Sequence, residues 1–175
     1  MLLLSAQVWW QARLYSTHLN NKPKHVEIAL QYANILEYGN NRSIVADSSN
    51  IFTKQRLGTS YCQSFVSWIL EKAYPSKYKP TALATAFRGK RQISAISVIR
   101  GKEKVKAGYI ITWQKGKTIF GHSGIAIEDW EGPEGMTIQA NTSKRIENRN
   151  GDGIFIKKAS IKPYSYFRII RFWEV

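Results

Sequence analysis

The sequence is short of cysteine, of acidic residues and of long apolar runs, and each shortage excludes a class of protein. Its one cysteine, Cys62, cannot form an internal disulfide or a multi-thiolate metal centre. Asp and Glu number 12 against 26 Lys and Arg, a net charge of +14. A field of that sign concentrates polyanions. The basic residues are scattered, from Lys22 and Lys24 through Arg88, Lys90 and Arg91 to Lys157 and Lys158. No dense arm threads a nucleic-acid groove, so no specific nucleic-acid partner is expected; a basic solvated surface and a dedicated anion site both fit. The apolar start, MLLLSAQVWW, is far below the ~20 residues of a bilayer span, so no transmembrane segment is expected. It also lacks the charged front of a signal peptide. Residues 1–24 are set apart as a lead-in. Leu4-Ser5-Ala6-Gln7 resembles the end of a leader, and the competing reading is an arm packed on the domain through Trp9 and Trp10. Walker-type loops, zinc patterns, repeats and low-complexity tracts are all missing. Asn148 to Gly153 looks superficially like a calcium loop, but its acidic spacing is wrong and a turn is the better reading.

What is present suits one compact domain over residues 25–175. Hydrophobic residues make up 43%, enough for a real core. The six Trp, nine Tyr and seven Phe suit a β-rich fold, and also a groove for a polymeric ligand. Val26, Ala29, Leu30, Ala33 and Leu36 recur at helical spacing and predict a helix from His25 to Tyr38, stopped by Gly39-Asn40-Asn41. Residues 40–60 read as a long irregular segment. A second helix is predicted from Tyr61, capped by Ser60, burying Cys62, Phe65, Val66, Ile69 and Ala73 and ending at Pro75. Residues 75–107 offer little beyond a short helix around Ala82 to Phe87. After Gly108 the period changes. Short runs from Tyr109 to Trp113, Thr118 to Phe120, Ser123 to Glu128, Met136 to Asn141, Ile154 to Lys158 and Phe167 to Trp173 predict consecutive strands. Helices followed by strands argue an α+β domain with an antiparallel sheet.

Cys62 is predicted at a helix start, and that placement has chemical weight. Unpaired N–H groups of a helix N-terminus favour negative charge. A thiol there, with a histidine nearby, has its pKa lowered from ~8.5 toward ~3.5–7.5. The same N–H groups can stabilise the oxyanion of acyl transfer. Of three histidines, His18 and His25 read as solvated. His122, between Gly121 and Ser123-Gly124, has small neighbours that leave its ring accessible. Gln139 and Asn141 lie on the next predicted strand and share one face by alternation; either could hold the ring as triad logic requires. Tyr61, Trp68, Trp113 and Trp130 are candidates to line a groove, with Trp68 better read as core.

The stretches YCQSFVSWILEKA, GYIITWQ, GHSGIAIE and TIQANTSKRIENRNGDGIFIKKA follow in that order. Together they resemble the CHAP family of cysteine- and histidine-dependent amidohydrolases/peptidases, relatives of NlpC-like and papain-like enzymes, over about residues 26–172. The resemblance implies a papain-like domain with its N-terminal helices packed on an antiparallel sheet. It implies a hydrolase cutting an amide bond of peptidoglycan, as an N-acetylmuramoyl-L-alanine amidase or a peptide endopeptidase. Cys62 would be the nucleophile, His122 the general base, Gln139 and Asn141 the orienting groups, and Tyr61 and Trp113 part of the oxyanion site or substrate groove. Two positions depart from the pattern. Gln139 stands where many members carry Glu, and Gly108-Tyr109 where Gly-Asp is common. A carboxylate within ~4–6 Å of an imidazolium stabilises it by ~1–3 pKa units; an amide oxygen can still hold the ring. Implied further are no cofactor and no metal, a monomer, peptidoglycan and anionic wall polymers as partners, and a secreted, periplasmic or wall-associated bacterial or phage-encoded protein. A thiol protease, deamidase or acyltransferase acting on a protein, and an inactive wall- or polyanion-binding domain, are the competing expectations.

Overall fold

The computed structural model describes residues 22–143, 151–161 and 169–175. Helix α1 (Lys24–Leu30) starts after Pro23, whose fixed φ and free carbonyl suit a helix entrance, with Val26 N donating to Pro23 O at 2.8 Å. It is shorter than its apolar spacing predicts. The chain turns at Asn34, which is left-handed with φ 65°, and runs extended beside the sheet through a bridge between Leu36 and Gly153. Ile35 and Leu36 thus join the sheet instead of lengthening the helix.

Helix α2 (Ile44–Phe52) occupies much of the stretch expected to be irregular. Ser43 caps it, its hydroxyl accepting from Ala46 N at 3.0 Å, and Asp47 favours the first turn. Its buried face consists of Val45, Ala46, Ser49 and Asn50. That face is too polar to show as apolar periodicity. Helix α3 (Cys62–Ala73) matches expectation except at its start. Tyr61, not Ser60, occupies the N-cap, and it supplies no side-chain cap. Phe65, Val66, Ile69 and Leu70 are almost wholly buried, each contributing about 2 kcal/mol of apolar burial before entropic costs.

A 3-10 turn at Ala84–Ala86 replaces the expected short helix, and strand β1 (Arg91–Ser94) and helix α4 (Ala95–Ile99) follow where little was legible. Then come β2 (Ile110–Gln114), β3 (Gly121–Ala126), β4 (Glu134–Thr142), β5 (Gly153–Ser160) and β6 (Ile169–Glu174). Thr118 to Phe120 is a hairpin loop instead of a strand. The sheet is antiparallel in the order β1-β6-β2-β3-β4-β5. The α+β class, with an antiparallel sheet and helices ahead of most strands, is as expected.

Strand alternation divides the core in two. On one face Ile110, Ile125, Ile138 and Ile154 meet α1, α2 and α3. On the other, Ile111, Trp113, Ala126 and Phe172 meet Ile93, Val98, Val105 and Trp130. Trp130 closes that second core so tightly that a Cβ on Gly135 would lie 2.1 Å from its ring.

Candidate active site

Cys62 opens α3, which packs against β3 and β4. Because Tyr61 offers no cap, the first-turn N–H groups remain donors beside the sulfur. His122 lies near the start of β3, opposite Trp113 of β2, and its ring stacks on the indole at 5.6 Å between centroids and 29° between planes. The β3–β4 ladder is short, with partners only at Ile125↔Ile138 and Ala126↔Thr137. Beyond it, contact between the strands passes to side chains. Gln139 reaches across Gly124, where an added Cβ would sit 2.9 Å from Gln139 Cγ.

A chain of hydrogen bonds fixes both the amide and the ring. Thr137 Oγ1 donates to Lys157 O at 2.9 Å, so it accepts from Gln139 Nε2 at 2.8 Å. Gln139 Oε1 must then face His122, where it accepts from Nε2 at 2.9 Å. With Nε2 so committed, Nδ1 is the nitrogen left for the sulfur. The Cys62 thiol and the His122 ring are hydrogen-bond and charge partners of one another.

Burial alone would push the Cys62 thiol up, and it is the largest single influence. The His122 hydrogen bond and charge, with the backbone N–H and hydroxyl of Ser123, outweigh it and hold the thiol below its ordinary value. Burial likewise pulls His122 down, but the Cys62 contact and the Gln139 hydrogen bond raise it above an ordinary imidazole; the Lys157 charge works against them. Each group thus favours the charged form of the other: the imidazole lowers the thiol and the thiol raises the imidazole. Ser123 is fully buried, and its hydroxyl satisfies no other group. Nothing in the sequence beyond its place next to His122 marked it for this role.

Other expected site residues fall elsewhere. Asn141 does not orient the ring. A register shift between Ala140 and Thr142 leaves it left-handed with φ 53°, which breaks the alternation that would have aligned it with Gln139. Tyr61 lines no groove: it is 0% exposed, because the N-cap position turns its ring inward. Trp113, 8% exposed, is the support under His122 instead of a groove wall. Trp130 is core, and Trp68 packs on Tyr32 at 5.2 Å, at the edge of the core. His25, expected in solvent, is buried, with Nε2 donating to Gly108 O at 2.8 Å and Nδ1 accepting from Tyr74 Oη at 3.2 Å. Apolar spacing registered its helix but not the backbone carbonyl that awaits the ring. His18, Trp9 and Trp10 lie outside the described residues, as does most of the 1–24 lead-in and all of 144–150.

Among the described residues no group of three or more His, Cys, Asp or Glu side chains could hold a metal ion, and no helix is long and apolar enough to cross a membrane. No family model matches the chain, and no curated protein does. Among solved structures, the chain is similar to a wild-type endolysin, LysIME-EF1, at 17% identity and a TM-score of 0.45. That likeness covers 72% of this chain and 61% of the endolysin, so the chain spans about three fifths of its length.

Proposed function

We propose that the chain is a papain-like cysteine hydrolase of the CHAP type that cuts an amide bond of peptidoglycan. The observation that carries this reading is the Cys62–His122–Gln139 array at an uncapped helix N-terminus. The Cys62 thiolate attacks the amide carbonyl and forms a C–S bond, and the carbonyl oxygen takes the negative charge near the first-turn N–H groups of α3. His122 gives its proton to the leaving nitrogen as the C–N bond breaks. It then takes a proton from water, whose oxygen attacks the thioester; the C–S bond breaks, the acid is released, and the thiolate is left beside the reprotonated ring as at the start. Gln139 holds the ring through both transfers without adding charge.

The residue pattern around Cys62, His122 and Gln139 and the +14 net charge support peptidoglycan, with its anionic polymers, as the substrate. That charge would retain the enzyme on the wall and make retention salt-sensitive. Such a substrate places the site of action outside the cytoplasm. Digestion of purified peptidoglycan with wild type and Cys62→Ala, followed by mass spectrometry of new amino termini, tests the reading. New termini from wild type alone support it, and their position tells amidase from endopeptidase. Equal background from both proteins would transfer the fold to wall binding without catalysis.

A further inference from the structure

A part-buried polar cluster outside the catalytic array, centred on the buried Tyr61, joins three distant parts of the chain. Tyr61, immediately before the nucleophile, donates from Oη to Glu37 Oε1 at 3.1 Å. Glu37 Oε2 accepts from the Asn41 backbone N–H at 2.8 Å. The backbone amide of Asn141, two positions beyond Gln139 on β4, meets the same Tyr61 oxygen. One phenol therefore contacts both the strand that carries Gln139 and a carboxylate from a third segment.

That third segment is registered to the sheet. Asn34 N donates to Ile154 O at 2.7 Å, Ile154 N to Ile35 O at 3.0 Å, and Glu37 N to Asp152 O at 2.9 Å. Two glycines permit the approach. A Cβ on Gly153 would lie 2.2 Å from Ile35 O, and one on Gly151 would lie 2.7 Å from the Asn141 carbonyl carbon. The bulge at Asn141 turns its amide toward Tyr61, and Gly151 and Gly153 bring β5 and residues 34–37 in behind it. A core that needed only bulk at position 61 would be served by phenylalanine. A polar oxygen fully buried here requires partners, and the fold supplies two.

We infer that Tyr61, held by Glu37 and the Asn141 amide, is a positioning residue that sets the Cys62 helix start against the strand carrying Gln139 and so fixes the sulfur–imidazole contact. This rests on the cysteine-hydrolase reading of the site, but it concerns the geometry of the pair and not the substrate. Neither the sulfur nor the imidazole is a hydrogen-bond partner of the phenol, although the Cys62 charge acts on it. Its effect passes through one peptide unit to Cys62 and two to Gln139. Displacements of about 1 Å at such distances cost rates on the order of 100-fold.

The test reads the pair without substrate. Iodoacetamide alkylation of Cys62 is followed against pH for wild type, Tyr61→Phe, Glu37→Ala and Glu37→Gln, with folding checked by thermal melting. Tyr61→Phe and Glu37→Ala are expected to move the acid limb upward and to lower the rate at pH 6 roughly tenfold, as the thiol returns toward an ordinary cysteine. Glu37→Gln keeps an acceptor for the phenol and should restore most of the profile. Should Tyr61→Phe fail to fold, the two Glu37 variants decide the matter between them. Folded Tyr61→Phe and Glu37→Ala proteins with the wild-type profile overturn the inference. So does a Glu37→Gln protein no better than Glu37→Ala. A low-pH thiolate in wild type with no release from peptidoglycan would remove the proposed substrate and leave this inference standing.

Discussion

His25 and His122 each use ring nitrogens for defined partners inside the fold, yet their titrations move in opposite directions. Around His25 the partners are neutral: the Gly108 carbonyl and the Tyr74 hydroxyl. Burial dominates, and with the Lys77 charge it lowers the ring's pKa against the pull of the Gly108 bond. Around His122 burial acts the same way, but a thiol that can carry negative charge faces the ring and the balance reverses. The lesson is that withdrawal from water does not fix the charge of a histidine; the charge available to its partner does. One ring is biased toward its neutral form and the other toward its charged form.

The largest expected effect comes from removing the partner that makes the difference. His122→Ala should return the Cys62 thiol toward the ordinary range or above, since burial is then opposed only by Ser123 and the helix N-terminus. Hydrolysis should fall by about 10⁴-fold or more, measured as product release and as loss of low-pH alkylation. A His122→Ala protein that still alkylates rapidly at pH 6 would mean that the helix N-terminus and Ser123 suffice.

Gln139 allows a sharper comparison. Gln139→Ala frees the ring and should lower kcat on the order of 10–100-fold. Gln139→Glu adds a charge and should raise the imidazolium pKa by about 1 unit or more, carrying the alkaline limb of the rate profile upward. An unmoved limb would mean that the nearby Lys157 ammonium cancels the new carboxylate. Gly124→Ala, whose methyl would meet Gln139 Cγ at 2.9 Å, should reduce kcat by about tenfold with KM little changed.

The smallest effect on rate, and the clearest on stability, is expected at His25. The unfolded imidazole protonates near 6.5, whereas the folded ring does so only at lower pH. The unfolded chain therefore binds more protons in that interval. The stability His25 contributes is fully present above 6.5 and is lost as pH falls toward the folded value. Melting temperature measured below pH 6.5 should decline less steeply for His25→Gln than for wild type, while alkylation of Cys62 stays unchanged. Parallel declines would remove His25 as the source.

Legibility in the sequence followed the same division between apolar pattern and polar partner. The Cys62 helix could be read because Phe65, Val66 and Ile69 recur on one face, and β2 to β5 because β-branched runs alternate between turns. Helix α2 was illegible because Ser49 and Asn50 occupy its buried face. The Cys62–His122–Gln139 grouping came from residue type and family resemblance. Its hydrogen-bond directions came only from Thr137 and Lys157, a relay no spacing rule marks. Tyr61 and Asn141 were misplaced for one reason. Each sits where regular geometry stops, at an N-cap and at a bulge, so periodicity assigns it no face.

The strand order has a consequence for how the protein comes to exist. β6 lies between β1 and β2, pairing Arg91 with Glu174 and Ile110 with Trp173. The strand that supports His122 from below therefore gains its second neighbour from the latest described segment of the chain. During synthesis β1 and β2 must wait with open edges until that segment leaves the ribosome, a long-range closure that makes folding slow and late. The layer beneath His122 is therefore complete only once Ile169–Glu174 has paired on both of its sides.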